Sequence, residues 1–230
     1  MATYVLIPGA GSDSWYWHLV APRLVALGHD VLAPDLPVGE AGVTFSDYAD
    51  VVVEAIGSRT DLVVVAQSLG GFTGPIVCER LPADLLVLVA AMVPRPHETA
   101  GEWWANTGHD EAMRAAAVRD GRPEPDMQDV ETLFFHDVPT EVTAAAMRRG
   151  TRAESDSMFA TPWPLAAWPD VPTKFLLCRD DRLFPADFQR RVVGERLGIV
   201  PDEMPGGHLP ALAHPEELVV RLEAYRGEVG

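Results

Sequence analysis

Hydrophobic and polar positions along this chain fall into a repeating pattern. Short, mostly apolar runs at 3–7, 30–33, 62–65, 85–91 and 173–178 alternate with longer stretches in which apolar residues return every three or four positions. An apolar run of this length suits a strand covered on both faces, and the periodic stretches suit helices. The pattern predicts helices over 15–27, capped by Ser14 and closed by Gly28, over 45–56 with Gly57 at its end, and over 72–81, 185–197 and 215–226. One more short strand is expected at 200–204. Strand and helix alternate with short connections, which predicts an α/β protein with a mostly parallel, doubly wound sheet of about six strands.

The pattern breaks at Pro94. From there to 169 the chain is polar and rich in proline, with helical pieces near 98–106, 111–120, 127–135 and 140–149. This is too long for a loop and shows no strand alternation. It reads as a helical cap, 94–169, inserted after the strand at 85–91, with 1–93 and 170–230 forming the core. Trp103, Trp104, Phe134, Phe135, Phe159, Trp163 and Trp168 argue against a linker, because linkers rarely carry so many aromatic residues.

Composition narrows the partners. Of 230 residues, 47% are hydrophobic, ordinary for a globular chain, and the formal net charge is −16. Nucleic acid and anionic membrane both require a basic face, so neither is an expected partner. No apolar run reaches the roughly 18–20 residues of a membrane span. The N-terminal stretch lacks a basic n-region, so the expected setting is the cytoplasm, with Cys78 and Cys178 reduced. Neither cysteine sits in a C-x-x-C pair, so a thiolate metal site is not expected.

The chemistry gathers around Ala66-Gln67-Ser68-Leu69-Gly70-Gly71. The sequence is a G-x-S-x-G nucleophile elbow with Ala66 in the first position. Such a turn lifts the serine oxygen clear of the backbone and aims the N-terminus of the next helix at it. A serine hydroxyl needs a base and a group that orients the base. His208, in the glycine loop after the last strand, fits the base. Asp180 and Asp181, after the strand at 173–178, both fit the acid. Leu69 and Ala10 would supply the two oxyanion N–H donors, with Gly9 and Gly11 allowing close approach. Pro8-Gly9-Ala10-Gly11 lacks the third glycine and the lysine of phosphate-binding loops, so nucleotide binding is not expected. His18, His29, His97, His109 and His214 read as surface or cap residues, and His136-Asp137 as a solvated pair, with a histidine lining the pocket from the cap as the alternative.

Together these residues resemble the α/β-hydrolase superfamily, and within it the small plant-type esterase and hydroxynitrile lyase family. The resemblance rests on residues 5–10 before Trp15 and Trp17, on Leu27-Gly28-His29, on Ala33-Pro34-Asp35-Leu36, on the elbow, on Phe188-Gln189-Arg190, and on Gly207-His208 followed by 214–218. It covers nearly the whole chain except the middle of the cap. In that family the acid stands four residues before the position of Pro185, which selects Asp181. Pro8-Gly9 replaces the usual His-Gly. Leu209 replaces the lysine that lyase members use to hold cyanide, which speaks against lyase chemistry.

The resemblance implies a serine hydrolase that cleaves small, mostly uncharged carboxylic esters through an acyl-enzyme, with no metal or cofactor. A thioesterase, a carbon–carbon bond hydrolase, or a non-catalytic receptor on the same scaffold are the alternatives. The expected partner is a small apolar ester, with the aromatic residues of the cap roofing Ser68; a homodimer is left open.

Overall fold

The computed structural model describes residues 1–229. Strands β1 (Thr3–Ile7), β2 (Asp30–Leu32), β3 (Leu62–Gln67), β4 (Leu85–Val89), β5 (Thr173–Cys178) and β6 (Asp202–Met204) form one parallel sheet in the order β2-β1-β3-β4-β5-β6. The chain leaves β1 toward β2 and returns to the other side of β1 with β3. That reversal opens a crevice above the C-terminal ends of β1 and β3, where sheets of this kind place their ligands.

The apolar strands divide their side chains between two cores. Val5, Ile7, Val64, Ala66, Leu86 and Leu88 point to one face, where α2 (Phe45–Ile56), α3 (Gly70–Arg80) and α9 (Ala186–Leu197) pack. Tyr4, Leu6, Val63, Val65, Val87 and Val89 point to the other, covered by α1 (Ala21–Ala26), α10 (Pro210–Ala213) and α11 (Pro215–Val229). Successive side chains of a strand face opposite ways, so a strand buried on both faces is apolar at nearly every position.

Between β4 and β5 lie five helices: α4 (Ala100–Thr107), α5 (His109–Arg119), α6 (Val130–Phe134), α7 (Thr140–Arg149) and α8 (Asp156–Ala160). Thr99 and Glu102 form a capping box that starts α4. Trp103 and Trp163, from this segment, are fully buried in the core that holds α3 and α9. Their indole N–H groups donate to the carbonyls of Val93 and Phe72 at 3.0 and 2.9 Å. Glu98, just before α4, is bound through both carboxylate oxygens to Arg196 of α9.

The helix expected over 15–27 is broken. A 3₁₀ turn, Ser14–Trp17, comes first, and α1 starts only at Ala21. Pro22 is the cause: it has no N–H to give, and its ring collides with the carbonyl four residues back. The cap of the first turn is Asp13, which accepts the Trp15 N–H at 3.0 Å, and not Ser14. The Ser14 N–H donates to Asp35 Oδ1 at 2.9 Å instead.

Candidate active site

Ser68 follows the last residue of β3 and has φ +51°. Left-handed backbone is costly for a residue with a Cβ and persists only where its surroundings hold it. Here the Ser68 carbonyl accepts N–H groups from Gly71 at 3.0 Å and from Met92, past the end of β4, at 2.9 Å. The turn also depends on Gly71, because a Cβ there would stand 1.9 Å from the Met92 carbonyl oxygen. The result is a serine at the N-terminal end of α3, 8% exposed.

Two loops come back to it. The loop after β6 carries His208, whose Nε2 lies 2.9 Å from Ser68 Oγ. The loop after β5 carries Asp181, whose Oδ2 lies 2.8 Å from His208 Nδ1. All three side chains are almost fully buried. A carboxylate only accepts, so Nδ1 carries the imidazole proton and Nε2 presents its lone pair to the serine hydroxyl. The other oxygen, Asp181 Oδ1, accepts the N–H groups of Leu183 and Phe184 at 2.9 and 2.8 Å. These bonds fix the carboxylate before any substrate arrives.

Asp180 does something else. Its Oδ2 accepts the Gly206 N–H at 2.9 Å, and its own N–H donates to the Gly206 carbonyl at 3.0 Å. Though exposed, it joins the loop after β5 to the loop after β6.

The loop after β1 closes the third side. Gly9 lies so near Ser68 that a Cβ on it would stand 2.8 Å from the serine Cβ and 2.5 Å from Gln67 Oε1. Only glycine fits there. Ala10 follows on the exposed rim of the loop and Leu69 sits buried at the start of α3. Among the described residues, neither the Ala10 N–H nor the Leu69 N–H donates to a protein acceptor.

Several residues of the site escaped the sequence reading. Gln67, buried at the end of β3, donates from Nε2 to the His208 carbonyl at 3.0 Å. A polar side chain ending an otherwise apolar strand is the one signal that pointed to it. Phe134 and Phe184 set ring edges against the imidazole at 5.5 and 5.0 Å between centroids. These two rings, and not the tryptophans built into the core, enclose His208.

His136 and Asp137 are not a solvated pair. Asp137 Oδ2 accepts the Gly207 N–H at 2.6 Å, and His136 Nε2 is buried without a partner. Burial holds the His136 imidazole below its ordinary pKa, against the pull of the Asp137 carboxylate. His29 and His109 are buried as well, and His109 Nε2 donates to the Leu183 carbonyl at 2.8 Å.

Two cavities flank the site. One, about 280 Å³, runs past Gly11 and Leu209 and is lined by Trp15, Tyr16, Phe135 and Met147 and by Asp13, Arg149 and Arg152 among others. The other, about 530 Å³ and polar, lies behind the acid and is lined by His136, Asp137, Asp180, Asp181, Arg182 and His214 among others. Both cysteines are free thiols. Burial pushes Cys78 up to about 12 and Cys178 well above its ordinary value, so neither is a thiolate nucleophile. Among the described residues, no group of three or more His, Cys, Asp or Glu is arranged to hold a metal ion, and no helix is long and apolar enough to cross a membrane.

Residues 4–222 match the alpha/beta hydrolase family. The chain belongs to that family. Polyneuridine aldehyde esterase of Rauvolfia serpentina is 26% identical to this hydrolase over 94% of this chain and 92% of its own. Methylesterase 3 of Arabidopsis thaliana is 23% identical over 95% and 93%. The crystal structure of polyneuridine aldehyde esterase superposes on this hydrolase with a TM-score of 0.77 at 23% identity, covering 98% of this chain and 99% of that one. A pyrethroid hydrolase from Sphingobium faniae gives 0.76 at 21% identity, over 98% and 97%. The sheet order, the parallel register and the flanking helices are those of the family fold.

Proposed function

We propose that this hydrolase cleaves small, mostly uncharged carboxylic esters by a serine mechanism. Ser68 Oγ attacks the acyl carbon while His208 Nε2 takes its proton. The charge that develops on the carbonyl oxygen is met by the N–H groups of Leu69 and Ala10. Asp181 holds His208 in the tautomer that can accept and stabilises the imidazolium that forms. His208 then returns the proton to the departing alcohol oxygen. The acyl group stays on Ser68 until water, deprotonated by the same imidazole, releases the acid. No step calls for a metal or a cofactor.

The observation that carries this reading is the unbroken chain Ser68 Oγ, His208 Nε2, His208 Nδ1 and Asp181 Oδ2, with links of 2.9 and 2.8 Å. The 280 Å³ cavity supports an apolar substrate, because most of its lining is aromatic or aliphatic and Arg149 is paired with Asp13. The relatives named esterase and methylesterase point to the same bond. Helices α6 and α7 and the chain beside them act as the cap that shapes this cavity.

Position 209 separates hydrolysis from cyanide release. A leaving cyanide needs a cation beside it, and Leu209 offers none. The test is a panel of nitrophenyl esters of increasing acyl length, run beside mandelonitrile. Ester turnover without cyanide is expected. Cyanide production that scales with protein and disappears in Ser68→Ala would overturn the assignment of the reaction.

A further inference from the structure

The helices between β4 and β5 do more than cover the sheet. Asp137, between α6 and α7, accepts the Gly207 N–H on Oδ2 at 2.6 Å, one residue before His208. Glu154, between α7 and α8, accepts the Gly11 N–H on Oε1 at 2.8 Å, one residue after Ala10. Glu154 is itself held, while Asp137 has His214 beside it and its Oδ1 is buried without a partner among the described residues. His214 Nε2 lies 3.4 Å from Asp137 Oδ2, and the Tyr48 hydroxyl of α2 donates to Glu154 Oε2. The same segment reaches the acid loop, where His109 Nε2 donates to the Leu183 carbonyl and Arg182 Nη1 donates to the Thr132 carbonyl at 3.0 Å. Each of the three loops that meet at Ser68 is thus tied to this one segment.

We propose that Asp137 and Glu154 are positioning residues: two carboxylates of the inserted segment that fix the backbone of the histidine loop and of the oxyanion loop. The proposal rests on the serine-hydrolase reading of the site. It has a mechanical consequence. A lid that swung away as a unit would break both bonds and release His208 and Ala10 from their places.

The chemistry of the two residues supplies its own control. Asparagine and glutamine keep an oxygen that accepts a backbone N–H, whereas alanine keeps none. A charge-assisted bond of this kind carries enough free energy for a loss of roughly tenfold or more in rate when the loop is freed. The experiment measures the rate at which a fluorophosphonate labels Ser68 in the full chain, with kcat and KM for a nitrophenyl ester beside it. Asp137→Ala and Glu154→Ala are expected to slow labelling roughly tenfold and to lower kcat with KM little changed. Asp137→Asn and Glu154→Gln should restore most of both, whereas Asp137→Leu and Glu154→Met, which keep the bulk without the acceptor, should not, a contrast that a packing role would not give.

Amide hydrogen exchange supplies a readout independent of catalysis. The Gly207 and Gly11 amides should exchange slowly in the unmodified protein and faster in the folded alanine variants. Labelling at the unmodified rate in folded alanine variants would overturn the proposal. So would Gly207 exchange as fast as an open loop in the unmodified protein, which decides the matter even where an alanine variant does not fold. If the unmodified protein takes no label at Ser68 while both amides are protected, the serine-hydrolase reading fails and the two ties stand.

Discussion

Gln67 and His208 are joined through the backbone: Gln67 Nε2 donates to the His208 carbonyl at 3.0 Å, across 141 residues of sequence. His208 follows β6, which is separated from β3 by β5 and β4. The loop must therefore reach back over two strands to bring its imidazole to Ser68, and Gln67 holds it at the far end.

Gln67→Leu should weaken that hold. The His208 carbonyl would be left buried and unpaired, at a cost of about 1–3 kcal/mol in stability. Urea denaturation measures this loss, and kcat for ester cleavage should fall more than KM rises. A variant with unchanged stability and unchanged kcat would show that Gln67 does not hold the loop.

The two adjacent aspartates should separate cleanly. Asp181 faces the imidazole, while Asp180 bonds the Gly206 backbone. Asp181→Asn turns the carboxylate partner of His208 Nδ1 into an amide and permits the wrong tautomer, so kcat should fall on the order of 10⁴-fold. Asp180→Asn keeps an acceptor for the Gly206 N–H and should cost far less. Steady-state kinetics of the two variants on one ester decides between them, and a larger loss in Asp180→Asn would contradict the geometry.

Stability in acid should depend on Glu98. Burial by itself would raise its carboxyl, but hydrogen bonds from Arg196, Asn106 and the Arg95 N–H outweigh it and hold the group below its ordinary 4.5. The folded protein thus binds this proton less readily than the unfolded chain does. The stabilisation is complete above about pH 4.5 and is lost as pH falls through the lowered value. Glu98→Gln leaves the buried Arg196 guanidinium without its counter-charge, at about 3–5 kcal/mol near neutrality. Its midpoint of thermal unfolding should start lower and fall less steeply in acid. Parallel slopes for the two proteins would remove Glu98 from the account.

The sheet was legible because its strands are buried on both faces, which leaves runs such as Val63-Val64-Val65 and Leu85-Leu86-Val87 with no polar position. Ser68, His208 and the Asp180-Asp181 pair stand out in the sequence because their signals are local, a turn of small residues or a loop after a strand, while the choice of Asp181 over Asp180 comes from the family resemblance. Gln67, Asp137 and Glu154 could not be read in this way. Each acts on a backbone group 141, 70 or 143 residues away, and nothing near it in sequence marks that partner. The break in the first helix is hidden for another reason. The apolar spacing over 15–27 is helical, yet Pro22 overrides it.

Ser68→Ala separates a serine nucleophile from every other reading of the site. The unmodified protein should hydrolyse a short aryl ester and take up one fluorophosphonate, found on Ser68 by peptide mapping. Ser68→Ala should fold normally, take up none, and lose ester turnover on the order of 10⁴-fold or more, because the three side chains act as a unit. Undiminished turnover in Ser68→Ala, or a label on another serine, would contradict the account.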